Sequence, residues 1–222
     1  MCKLNRSLYG LKQAPRAWFE RLSSLLISLG FQYSKCDKSL FIKTSSGQSL
    51  FVLVYVDDIL IIGSNATAVK SLIAQINSTF SLKDLGQLNY FLGIEVIKNS
   101  DGSILLSQAK YITELLEKAG MAESTPCLTP MSTAQKLSKS QGVPFSDLKF
   151  YRTIVGGLQY LATTRPDICY VVNRVCQFMA SPTVNHWQAV KRLLRYLKGT
   201  STHGLLFGKP AQLDIQAFCD AD

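Results

Sequence analysis

The tetrapeptide Tyr55-Val56-Asp57-Asp58 lies between two apolar runs, Leu50 to Val54 and Ile59 to Ile62, and constrains the chain more than any other stretch. β-Branched and aromatic residues on both sides read as the arms of a β-hairpin, with Asp57 and Asp58 at or beside its turn. Two carboxylates placed together repel unless a cation neutralises them. A hard divalent ion with oxygen ligands, Mg2+ foremost, answers both the repulsion and the cost of burying charge among apolar strands. A plain surface turn, where Asp is favoured, accounts for the same residues.

At 222 residues and 47% apolar content, the chain is long enough for one large or two modest domains with real cores. Its 24 Lys and Arg against 15 Asp and Glu give a net charge of +9, which suits a polyanionic partner or a membrane surface without choosing between them. Cys2, Cys36, Cys127, Cys169, Cys176 and Cys219 form neither a Cys-x-x-Cys pair nor zinc-like spacing with His; they are read as reduced, mostly buried thiols. No apolar stretch reaches the roughly 18 residues of a membrane span, and the N-terminus shows no signal peptide. A soluble, intracellular protein is expected.

Pro15 opens a helix in which Trp18, Leu22, Leu25, Leu26 and Leu29 recur at helical spacing up to Gly30. A strand near Ser39 to Lys43 and a turn at Ser45-Ser46-Gly47 lead into the Asp-Asp hairpin. Asn65 caps a helix that carries Val69, Leu72, Ile73 and Ile76 inward. A loop at Asp84 to Gln87, a strand from Tyr90 to Ile97, a turn at Asn99 to Gly102 and a strand at Ile104 to Leu106 follow. Ser107 is placed to cap a short helix ending at Gly120. The Ser, Thr and Pro content of Ser124 to Ser146 reads as a linker and as the main boundary. Helices are expected beyond it at Phe150 to Ala162, Pro166 to Ala180 and Val184 to Lys198, the last with Trp187, Val190, Leu194 and Leu197 on one face. Lys191, Arg195 and Lys198 make an opposing basic stripe, either a solvated face or a phosphate track.

The segment Leu8-Tyr9-Gly10-Leu11-Lys12-Gln13-Ala14-Pro15-Arg16-Ala17-Trp18, followed by Tyr55-Val56-Asp57-Asp58, closely resembles the reverse transcriptase of copia-type LTR retrotransposons. The resemblance continues through Tyr90-Phe91-Leu92-Gly93-Ile94-Glu95-Val96, Arg165-Pro166-Asp167-Ile168 and Leu194-Arg195-Tyr196-Leu197-Lys198-Gly199. It implies an α+β fold: a partial polymerase palm, an antiparallel sheet with flanking helices, followed by a mainly helical thumb and connection region. Its parts would be a palm with primer grip over 1–106, the start of a thumb over 107–123, a linker over 124–146, a helical thumb and connection region over 147–213, and a truncated ribonuclease H strand over 214–222.

The resemblance also implies roles. Asp57 and Asp58 would be the catalytic, Mg2+-binding carboxylates, with Tyr55 and Val56 beside the primer terminus. Tyr9, Gly10, Lys12 and Gln13 would lie against template and incoming nucleotide, where a glycine admits close backbone approach, and Lys83 near the pyrophosphate. Phe91, Leu92 and Gly93 would form the primer grip, with Arg16, Lys191, Arg195 and Lys198 following the nucleic-acid backbone. Asp220 matches the first metal carboxylate of ribonuclease H, but nothing else of that domain is expected. The implied partners are an RNA template, a DNA primer and deoxynucleoside triphosphates, with no membrane, in a cytoplasmic particle or the nucleus.

A further palm aspartate of the family lies on a strand ahead of the Leu8-Tyr9-Gly10 segment. Two-metal transfer is poorly supported without it, and the Leu50 to Ile62 hairpin would lack a neighbouring strand. The expectation is an RNA-directed DNA polymerase fragment, inactive alone. The alternatives are a nucleic-acid-binding remnant without catalysis, and an unrelated structural domain whose ordered motif matches would be coincidence.

Overall fold

The computed structural model describes residues 13–45, 47–132, 137–138, 142–209 and 217. The chain forms two compact units, residues 1–88 and 89–222, with six α-helices and two four-stranded antiparallel sheets among the described residues. The fold is α+β.

The first unit begins with α1 (Ala14–Ser28), which has Pro15 in its first turn, where a missing N–H costs nothing. Two bonds past its end, Gly30 N–H to Ile27 O (2.9 Å) and Phe31 N–H to Leu26 O (3.0 Å), turn the chain toward the sheet. Strands β1 (Gln32–Tyr33), β2 (Leu40–Ser45), β3 (Gln48–Tyr55) and β4 (Asp58–Gly63) pair in sequence order. Asn65 caps α2 (Ala66–Thr79) by accepting from Thr67 and Ala68 N–H. Phe41, Val52 and Val54 face the helices and form one core with Leu22 and Leu26 of α1 and Leu72 and Ile76 of α2. Phe51 and Ile62, opposite each other in register, remain exposed on the other face.

The second unit begins with β5 (Tyr90–Phe91), β6 (Ile94–Lys98) and β7 (Ile104–Ser107). The continuous strand expected from Tyr90 to Ile97 is instead a tight hairpin, because Leu92 and Gly93 both take positive φ, 49° and 77°. Helix α3 (Ala109–Lys118) follows; Ser107 is still in the strand, but its hydroxyl accepts from Ala109 N–H at 3.2 Å. Helix α4 (Leu148–Leu161), capped by Asp147, a 3-10 turn at Pro166–Ile168, α5 (Cys169–Cys176) and α6 (Val184–Gly199) complete the helical cluster. The helix expected over Pro166 to Ala180 is thus a 3-10 turn and a shorter α-helix. Ile112 and Leu115 of α3 pack with Ile154 and Leu158 of α4, Val172 and Val175 of α5, and Val190 and Leu194 of α6.

The chain then returns as β8 (Gly204–Phe207), which pairs antiparallel with β7. This strand was not expected; the sequence reads 147–213 as a mainly helical region, with its last helix ending near Lys198. The division between units also falls at Leu88 and Asn89, ahead of the Ser124 to Ser146 segment. Residues 122–129 are not a free linker: Thr125 and Ala122 carbonyls accept from Arg195 and Lys198, and Cys127 N–H donates to Arg195 O. Cys36 is exposed, and Cys127, Cys169 and Cys176 are half-buried rather than mostly buried, all as free thiols.

Candidate active site

Register makes the Asp-Asp hairpin as tight as a hairpin can be. Tyr55 pairs with Asp58, so Val56 and Asp57 alone form the loop. The first central residue carries φ 50°, the sign a two-residue loop needs to follow strand twist. For a β-branched side chain this is a strained conformation, costing about 1–2 kcal/mol. All four side chains are exposed, so the carboxylates stand at the tip in solvent, not among the apolar strands.

Neither Asp57 nor Asp58 forms a side-chain hydrogen bond or ion pair among the described residues. Two adjacent acceptor-only groups with no protein cation suit a hard cation. They supply only part of an octahedral shell, and among the described residues no group of three metal-ligating side chains comes together. The donor set fits Mg2+ as an open half-site that substrate, water or further carboxylates complete.

Gln13 is the N-cap of α1, its carbonyl accepting from Ala17 N–H at 3.0 Å. Arg16, one turn inside, is exposed and paired with Glu20 at 2.9 Å, so its guanidinium is shared rather than free for phosphate. Lys83 lies exposed in the loop after α2. Tyr9, Gly10, Lys12 and Asp220 lie outside the described residues. Gln13, Arg16, Tyr55 to Asp58 and Lys83 thus all belong to the first unit, and Phe91, Leu92, Gly93 and the basic stripe to the second.

The Phe91-Leu92-Gly93 segment forms the tip of its own two-residue hairpin, with Phe91 opposite Ile94. The Tyr160 hydroxyl donates to the Leu92 carbonyl. On α6 two of the three cations of the expected phosphate track have partners within the protein. Lys191 is exposed, with its ammonium 6.0 Å from the Trp187 ring centre. Arg195 donates to Thr125 O at 2.6 Å and Lys198 to Ala122 O, and Arg192 donates to Thr129 Oγ1 at 2.6 Å. These cations hold an extended strand of chain against the helix, because neutral carbonyls there need donors.

Sequence reasoning missed what joins the last two family segments. Arg165, 1% exposed, forks onto both Asp167 oxygens and also donates to the Thr200 carbonyl and hydroxyl. Tyr196 O–H completes the carboxylate at 2.8 Å. The Arg165 bonds hold the Asp167 carboxyl below its ordinary value, while burial first and Asp167 second raise the Tyr196 phenol. The Arg-Pro-Asp and Arg-Tyr-Leu-Lys-Gly segments therefore meet as one structural clamp around the buried Arg165 guanidinium.

Known proteins resemble the chain at the level of sequence. The family described as "Reverse transcriptase (RNA-dependent DNA polymerase)" matches residues 1–133. The chain is 48% identical over its whole length to the retrovirus-related Pol polyprotein from transposon RE1 of Arabidopsis thaliana, and 45% identical to that from RE2. It is 36% identical over its full length to the Pol polyprotein from transposon TNT 1-94 of Nicotiana tabacum. It is also 31% identical to a putative transposon Ty5-1 protein of Saccharomyces cerevisiae, covering 71% of that protein. The chain spans 15% of the length of the RE1 and RE2 polyproteins. No solved structure matches it significantly. Among the described residues no helix is long and apolar enough to cross a membrane. The chain belongs to the reverse transcriptase family, in the form carried by copia-type retrotransposon Pol polyproteins.

Proposed function

We propose that this chain carries the catalytic hairpin and the primer-holding hairpin of an RNA-directed DNA polymerase that extends a DNA primer on an RNA template with deoxynucleoside triphosphates. The first unit is the palm, with Asp57 and Asp58 at its working tip. The second unit supplies the primer grip at Phe91 to Gly93 and the helical thumb and connection region. The observation that supports this most directly is the two-residue Tyr55 to Asp58 turn, which presents two carboxylates in solvent, unpaired among the described residues.

When bound, Mg2+ would lower the pKa of the primer 3′-hydroxyl and offset charge on the leaving pyrophosphate; Asp57 and Asp58 are the residues that would hold it. The remaining tasks fall to the chain. Tyr55 and Val56 border the carboxylates and form an apolar wall for the primer end. The resemblance assigns Tyr9, Gly10, Lys12 and Gln13 to template and nucleotide, and Lys83 to the pyrophosphate. Lys191 is the basic residue of the stripe left exposed for backbone phosphate. The half-site at the hairpin needs a further carboxylate for two-metal transfer, so the chain by itself binds primer–template without extending it.

The test is primer–template binding and Mg2+-dependent extension by the purified chain, with Asp57→Asn alongside. Salt-dependent binding unaffected by Asp57→Asn, with no extension, is the expected outcome. Failure to bind primer–template, or extension that survives Asp57→Asn, sinks the reading, and extension that Asp57→Asn abolishes overturns the statement that the chain alone does not extend.

A further inference from the structure

The Leu92-Gly93 turn sits where a bulky residue resists its own conformation. Leu92 takes φ 49°, and left-handed backbone is unfavourable for a residue with a branched side chain. Strand β5 behind it has only two residues, so its own ladder holds the tip weakly.

Helix α4 supplies the missing restraint. The Tyr160 hydroxyl donates to the Leu92 carbonyl. A Cβ added at Gly93 would lie 3.4 Å from both Tyr160 Cε1 and its hydroxyl oxygen, so glycine also lets the turn seat against the phenol. Tyr160 is itself mounted: the Tyr111 ring of α3 meets it edge-on, 5.2 Å between centres at 79°, a favourable aromatic geometry. The mount continues into the helical core through Leu115, Leu158 and Ile154.

We infer that Tyr160 is a positioning residue for the primer end: its hydroxyl, braced by Tyr111, fixes the Leu92-Gly93 turn from behind. The role rests on reading that hairpin as the primer grip. Catalytic geometry tolerates displacements well under an ångström, so a turn free to relax would leave the primer terminus misplaced without loosening the grip on the duplex. Tyr160 touches no reacting atom and acts through the Leu92 carbonyl.

Tyr160→Phe in the full chain removes the donor and keeps the ring. Tyr170→Phe, an exposed tyrosine on α5, is the control. Amide hydrogen exchange over residues 90–97 reads the turn without nucleic acid. A 2-aminopurine at the primer 3′ end reads the terminus in a primer–template complex. The expected result is about ten-fold faster exchange at Leu92 to Ile94 in Tyr160→Phe, the size of one lost hydrogen bond. It is accompanied by shifted emission at the primer end, unchanged primer–template affinity and a silent control. Unchanged exchange overturns the restraint. Faster exchange with unchanged emission overturns the positioning role. Wild-type protein that leaves the probe at its free emission overturns the primer-grip reading and the positioning role with it, whereas the exchange result stands independently.

Discussion

Arg165 and Asp167 face each other through two parallel bonds, Nε to Oδ1 at 2.9 Å and an amino nitrogen to Oδ2 at 2.8 Å. The guanidinium is buried and the carboxylate side chain is 38% exposed, so the energetic weight lies on the arginine. Removing the aspartate leaves a buried cation without its counter-charge, held only by the neutral Thr200 groups and the face of the Tyr196 ring among the described residues. Asp167→Ala is expected to destabilise the second unit by about 2–3 kcal/mol, at or below the roughly 3–5 kcal/mol of a fully buried pair because water reaches the aspartate side. Urea unfolding followed by tryptophan emission measures it; a change under about 0.5 kcal/mol would show the clamp to be ornamental.

Asp167 also predicts an acid limb. Its folded carboxyl is held below the ordinary 3.8, so the unfolded chain takes up the proton first. The stability contributed is present above that ordinary value and is lost as pH falls through the folded one. The midpoint of unfolding should drop more steeply below about pH 4 in the wild type than in Asp167→Asn.

His186 works in a higher window with the same sign. It is fully buried and stacked 3.8 Å from Phe178; its Nδ1 accepts from Thr183 N–H, and its Nε2 is 3.1 Å from Ser138 O. Burial lowers its proton affinity below the ordinary 6.5. Protonation would also remove the acceptor that Thr183 uses to start α6. Stability contributed by neutral His186 is complete above about pH 6.5 and lost as pH falls through the lower, folded value. Wild-type protein should therefore weaken between pH 7.5 and 5, and His186→Gln should flatten that slope in a thermal denaturation series.

Gly204 lies where β8 meets β7. A Cβ there would sit 2.2 Å from the Leu106 carbonyl oxygen, a backbone atom that cannot swing aside. Gly204→Ala is expected to unpair β8 and cost about 2 kcal/mol or more. Faster amide exchange at Leu105 and Leu106, with exchange at the buried residues of α4 unchanged, is the sign to look for.

Val56→Gly should cost the fold little. Glycine loses more entropy on folding but escapes the strain of φ 50°, and the two effects are each about 1 kcal/mol. A loss above about 1.5 kcal/mol would mean that the valine side chain packs in a way its exposure does not suggest.

The parts of the fold that showed in the sequence were those set by local chemistry. Pro15, the Leu22 and Leu26 spacing, the Asn65 cap and the alternation around Tyr55 to Asp58 each act within a few residues of themselves, and each element formed where they indicated. The missed features depend on partners far along the chain. Gly204 to Phe207 is a short run whose pairing is decided by β7. Ser124 to Thr129 has linker composition, yet the Thr125 carbonyl and that of Ala122 just ahead of it accept from Arg195 and Lys198, partners that α6 read alone does not reveal. Even the Asp57 and Asp58 environment needed the structure: register put them at the open tip rather than in the apolar ladder.

The β7–β8 pairing has a consequence for how the protein is made. Every helix from α3 to α6 lies in the stretch of chain between these two strands, so the pairing closes a loop containing the whole helical cluster. Contacts so distant in sequence form late, after the entropy of closing the loop has been overcome by the helices packing within it. During translation β7 remains a bare sheet edge until Phe207 has cleared the ribosome, and such edges recruit strands from other molecules. Crowded nascent chains on one messenger would meet first at Ile104 to Ser107, and a slow ribosome there would give them time to do so.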